Sequence, residues 1–147
     1  MRETVELLLE KGDFAALQEV VLPMDMEAID SLLFQIAYDE DCIATYSFAN
    51  YMIQITNSPE WHRVAKNLMV HQFFYLGGAY SVALFHLREI LKVRRTVDNL
   101  RGLLFFNSVP EKVVDDEEAR LVAEEILREV PDDPVALRIL RETSSET

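Results

Sequence analysis

Thr56-Asn57-Ser58-Pro59-Glu60-Trp61-His62-Arg63-Val64-Ala65-Lys66-Asn67-Leu68-Met69 is the stretch that decides the fold class. Ser58 carries the side-chain oxygen an N-cap needs, and Pro59 suits the first helical position, where a missing N–H costs nothing. Trp61, Val64, Ala65, Leu68 and Met69 then recur at three- and four-residue spacing, which puts them on one face of a helix. The pattern predicts a helix from Pro59 to about Leu76, where Gly77-Gly78 lets the chain reverse.

Upstream, the same signals predict four more helices. Val5, Leu7, Leu8 and Leu9 form a short one that Gly12 ends, and Phe14, Leu17, Val20 and Val21 form its antiparallel partner up to Pro23. Asp25 caps a run with Ile29, Leu32, Leu33, Ile36 and Ala37 on one face. The triplet Asp39-Glu40-Asp41 marks a corner, after which Ile43, Tyr46, Phe48, Tyr51, Met52 and Ile55 begin a new pattern; one continuous helix over 25–55 is the alternative.

Downstream, Val82, Ala83, Leu87, Ile90 and Leu91 face inward on a helix reaching Lys92-Val93-Arg94-Arg95. Leu100, Leu103, Leu104 and Phe105 make a shorter one, closed by Asn107 to Pro110 and followed by an exposed loop. Asp115-Asp116-Glu117-Glu118 opens the next, its acids matching the positive end of the helix dipole. Asp133 and Pro134 open the last, whose tail, 143–147, is expected to fray. About nine helices and no strand of period two result.

The totals agree. A length of 147 residues fits a single domain, 1–147, around one core. With 50% hydrophobic and 27% charged residues the chain is too apolar for disorder, and four glycines and five prolines are few for an all-β fold or a glycine-loop enzyme. Cys42 is the only cysteine, so no internal disulfide forms and the cytoplasm is the expected compartment. Acids in Met1 to Glu6 stand where an export signal would be basic, and His71, Gln72, His86, Arg88 and Glu89 interrupt the longest apolar run, so neither export nor membrane spanning is expected.

Short helices joined by tight turns bury their apolar faces only by stacking on neighbours, the logic of helical repeats. Gly12-Asp13-Phe14 and Gly78-Ala79-Tyr80 each set an aromatic two residues after a reversing glycine, 66 positions apart. Gly78-Ala79-Tyr80, then Ala83-Leu84, Leu87 and Ile90-Leu91, resembles the second helix of a tetratricopeptide repeat. Ala119 to Val135, with Ile126-Leu127 and Pro131-Asp132-Asp133-Pro134, then Ala136-Leu137 and Leu140, resembles the end of one such repeat and the start of another. About half the chain takes part. The resemblance implies an all-α protein of antiparallel helical hairpins stacked as a short tetratricopeptide-like array that binds proteins.

Net charge is −12, and it is unevenly placed. Residues 1–60 hold 2 basic and 12 acidic side chains, 61–102 hold 7 and 2, and 103–147 hold 5 and 12. An acidic surface repels phosphate backbones and attracts basic proteins, so no nucleic-acid partner is expected. Catalytic motifs are absent: there is no Gly-x-x-x-x-Gly-Lys loop, Gly-x-Ser-x-Gly elbow or Cys-x-x-Cys pair. His62, His71 and His86 are not at metal-pair spacing, so no metal and no cofactor is expected, and His71 and His86 read as packed core histidines. Cys42 follows an acidic triplet, a poor setting for a nucleophilic thiol, and is expected in the core.

Two candidate binding surfaces remain. Tyr38 adjoins Asp39, Glu40 and Asp41, pairing an aromatic anchor with acids that suit a basic partner. Arg88, Lys92 and Arg95, with Arg94 and Arg101, form a basic patch that suits an acidic peptide terminus, or else neutralises the protein's own acidic helices. The expected function is non-enzymatic: an acidic inhibitor, of the kind that confers immunity to a bacterial toxin, neutralising a basic protein. A tetratricopeptide-like adaptor or chaperone with Arg88, Lys92 and Arg95 clamping a peptide is the first alternative. A helical enzyme or ligand carrier with a dispersed site at His71, His86 and Tyr75 is the second.

Overall fold

A computed structural model describes residues 1–144. All regular structure among the described residues is helical: α1 (Arg2–Lys11), α2 (Phe14–Val21), α3 (Met26–Glu40), α4 (Ala44–Thr56), α5 (Pro59–His71), α6 (Ala79–Val93), α7 (Val97–Ser108), α8 (Asp116–Glu129) and α9 (Pro134–Ser144). None is long and apolar enough to cross a membrane.

Side-chain caps define most of the starts. Asp13, Asp25, Ser58, Thr96, Asp115 and Asp133 accept the N–H groups of Ala16, Ala28, Glu60, Asn99, Glu118 and Ala136 at 2.8 to 3.2 Å. Each satisfies a donor that the first helical turn otherwise leaves unpaired. At the other ends, Gly12 takes a left-handed φ of 67° and its N–H returns to the Leu8 and Leu9 carbonyls. Asp41 and Asn57 close α3 and α4 in the same conformation, at φ 51° and 50°. Helix α3 therefore stops at the acidic triplet, and the continuous 25–55 helix does not form.

The chain forms two compact units, Met1–Ala79 and Tyr80–Thr147, each with buried apolar side chains. In the first, Phe48 is fully buried with the rings of Phe14 and Trp61 both 5.6 Å away. In the second, Leu87, Leu103, Leu104, Phe106, Ala123 and Ile126 are buried. There α6 and α7 meet at Gly102: a Cβ added to it would lie 2.9 Å from Leu87 Cδ2, so only glycine permits this approach without repacking.

Within each unit, polar side chains join each helix to the next but one. Arg2 on α1 reaches Asp39 on α3, Gln18 on α2 meets Tyr51 on α4, and Asp30 on α3 meets Arg63 on α5. In the second unit Arg88 on α6 meets Glu118 on α8, and Arg101 on α7 meets Asp133 at the start of α9. These pairs are 30 to 37 positions apart, about the length of one helical hairpin.

Several expectations need correction. Helix α5 ends at His71 instead of near Leu76: the N–H groups of Gln72 and Phe73 both return to the Leu68 carbonyl, which closes the helix. Phe73, Phe74, Tyr75 and Leu76 could not all share one helical face, and only Phe73 is buried. On α7 Phe106 is inward where Phe105 was expected, and on α4 Ile43 and Ile55 lie at the exposed ends of the pattern. The loop before Asp115 is partly buried, because Val109 and Val114 enter the core and the Asn107 amide donates to the Val114 carbonyl. Thr143 is buried and helical instead of frayed, its hydroxyl donating to the Ile139 carbonyl; residues 145–147 of the expected tail lie outside the described residues.

Candidate functional site

The acidic corner lies where α3 ends. Tyr38 is 71% exposed in the last turn, followed by exposed Asp39, Glu40 and Asp41. This is the wrong end of a helix for carboxylates, because the last turn carries the partial negative charge of the dipole, and no basic residue stands in that turn. Acids at a helix start, such as Asp115 to Glu118, stabilise; these do not.

Two neighbours relieve part of that repulsion. Arg2 donates to Asp39 Oδ2 at 2.7 Å and to Glu6 Oε1 at 2.6 Å, and these bonds, to Glu6 first and Asp39 second, raise its pKa. The Tyr75 hydroxyl donates to Asp41 Oδ1, and that bond, followed by desolvation, raises the phenol above its ordinary value. Glu40 has no ion pair among the described residues.

Tyr75 also extends the corner beyond the triplet. It is 56% exposed, with the ring of Phe74, itself 53% exposed, edge-on at 6.1 Å. Leu76 and Ile43, which flank these residues, are exposed as well. The result is aromatic surface edged by carboxylates, within a unit that holds 12 acidic and 4 basic side chains. The sequence marked Tyr38 and the acids for this corner and Tyr75 only for a dispersed histidine site; Phe74, Tyr75 and Leu76, expected at the end of the helix from Pro59, are surface because α5 stops early.

The basic patch is arranged differently. Arg88 grips Glu118 with two hydrogen bonds of 2.7 and 2.9 Å, and Arg95 grips Glu125 with two of 2.8 and 2.9 Å. Both guanidinium pKa values are raised, first by these bonds, and the Glu125 carboxyl is lowered by Arg95. Lys92 pairs with Glu89 at 2.6 Å on its own helix. These side chains line a groove of about 340 Å³ between α6 and α8, floored by Leu91, Leu103 and Val122. The cations expected to clamp a peptide carboxylate thus already hold carboxylates of their own fold. Arg101 is likewise engaged, by Asp98 and Asp133.

His86 is buried in the second unit beside the Phe85 ring, whereas His71 and Tyr75 are exposed residues of the first. His71 meets the Phe34 ring at 6.1 Å, which corrects its expected place in the core. Cys42 is half-buried, in a small recess with Glu6, Glu10, Ile36 and Glu40. No cluster of three or more metal-ligating side chains occurs among the described residues.

Comparison of the chain with protein-family models, with curated proteins and with solved structures finds no match.

Proposed function

We propose that this protein is a non-enzymatic binding module of the cytosol whose acidic corner, Tyr38 to Asp41 with Phe74 and Tyr75, captures a basic protein partner, as an immunity-type inhibitor does. The carrying observation is the placement of Asp39, Glu40 and Asp41 at the negative end of α3, beside exposed aromatic rings. That placement works against helix stability, and residues that break a local rule of stability concentrate at functional sites. Aromatic anchors supply the desolvated centre of an interface, and the carboxylates steer a basic partner and set its orientation.

The test is a pull-down from native cytosol at low and high salt, with bound proteins identified by mass spectrometry. A basic protein that elutes with salt, and is not retained by the Asp39→Asn, Glu40→Gln, Asp41→Asn triple variant, supports the reading. Salt-independent capture, or equal capture by the triple variant, removes it.

A second reading, a tetratricopeptide-like adaptor, draws on one observation: the polar pairs that join helices two apart within each unit span 30 to 37 positions, near the roughly 34-residue period of that family. On that reading partner binding depends on Arg88 and Arg95, and charge reversal at Arg95 abolishes it while the triple variant still binds.

A further inference from the structure

Helices α6 and α8 run in the same direction, since Arg88 meets Glu118 and Arg95 meets Glu125, seven residues later on both sides. On α8 seven residues are two turns, about 10 Å of helix axis, so two like Arg–Glu rungs bracket one groove. One wall is basic, with Arg88 and Lys92 on α6 and Arg95 just past its end; the α8 wall is acidic, with Glu118 and Glu125. Between the two carboxylates Leu121, also in the groove lining, is 61% exposed. Internal pairing accounts for the rungs but leaves an apolar side chain in water at the centre of the charged frame.

We propose that this groove is the contact face of a homodimer, closed by a second copy of the chain related by a two-fold axis along the groove. Rotation about that axis lays the basic wall of one copy over the acidic wall of the other at the same height. Arg88 of each copy then faces Glu118 of the other, and Arg95 faces Glu125, so every carboxylate lies between two guanidinium groups. A two-fold axis across the groove would set basic wall on basic wall, and repulsion excludes it. Leu121 of each copy enters the other's groove towards Leu91, leaving water at the centre of the contact. The net charge of −12 does not oppose this face locally, because three cations and two carboxylates line it. The second copy fits better than an acidic peptide, which would have to displace Glu118 and Glu125 from bidentate bonds; the copy leaves those bonds in place.

Sedimentation equilibrium of the full chain over a concentration series tests the proposal. The mass is expected to rise from one chain towards two, and Leu121→Glu, at an exposed position, is expected to weaken association more than about tenfold with an unchanged far-ultraviolet circular dichroism spectrum. A four-site exchange, Arg88→Glu, Glu118→Arg, Arg95→Glu and Glu125→Arg, keeps both rungs within a chain. It is expected to self-associate but not to pair with the wild type, because like charges would then meet across the axis. A wild-type mass that stays at one chain overturns the proposal, as does association indifferent to Leu121→Glu. Mixed dimers forming as readily as the parent dimers would overturn the axis along the groove.

Discussion

The carboxylates that end α3 and those of α8 that face the groove live in opposite circumstances. Glu118 and Glu125 each accept two hydrogen bonds from an arginine on or just past α6, so their charge stabilises the fold that holds them. Asp39, Glu40 and Asp41 crowd the negative end of a helix, and two of the three are relieved by single bonds from Arg2 and Tyr75. The same side-chain chemistry is thus fully paired across helices at the α8 groove and only partly relieved at the end of α3. The contrast teaches that a run of acids is informative only through its neighbours and its place along the dipole.

The largest effect is expected where a buried carboxylate is ion-paired. Asp133 is 1% exposed, caps α9 through Ala136 N and accepts from Arg101 Nε at 2.8 Å and Nη2 at 2.5 Å. Asp133→Ala removes a cap and the partner of Arg101, with an expected loss of about 1 to 3 kcal/mol by urea denaturation. Asp133→Asn keeps the cap and should cost less. Burial alone would raise the carboxyl, but Ala136 and Arg101 outweigh it and hold the pKa below its ordinary 3.8. The stabilisation is therefore full above pH 3.8 and lost as pH falls from there through the lower folded value; a wild-type acid limb that Asp133→Asn lacks is the observation to seek.

Next is the aromatic side of the corner. Tyr75→Ala should weaken partner binding about tenfold to a hundredfold, read by isothermal titration, while the midpoint of unfolding barely moves because the ring is exposed. Equal losses of stability and binding would place the corner in the structural class with α8.

Gly102→Leu drives side-chain atoms into Leu87 and should cost about 1 to 3 kcal/mol, whereas Gly102→Ala trades a small Leu87 shift against better helix propensity. Smallest is the rung itself. A double-mutant cycle on Arg88 and Glu118 in the isolated monomer should give a coupling of about 0.2 to 1 kcal/mol, as for other solvent-facing pairs. Under low salt the cycle should grow; a value independent of salt would mean that the rung is more shielded than its exposure implies.

The candidate sites were legible to different depths. Tyr38 and the triplet could be marked because acids before a new apolar pattern signal a corner in any helical chain. Phe74 was not marked, and Tyr75 was marked only for a dispersed histidine site, because four consecutive apolar residues before Gly77-Gly78 extend a helical pattern smoothly; their exposure follows from closure of α5 on the Leu68 carbonyl. The basic patch was visible as residues but not as pairs. Glu118 read as a dipole-matching acid and Glu125 carried no reading until the structure set them opposite Arg88 and Arg95.

Local chemistry determined where the helices lie: Asp25, Ser58, Asp115 and Asp133 cap them, Gly12 ends one, and three- to four-residue spacing sets their inward faces, all through interactions spanning a few residues. Tertiary structure decided which charges are spent and which remain available. Whether an arginine meets a carboxylate thirty positions away depends on the register between packed helices, and in a helical chain that register is set by side-chain packing over the whole contact.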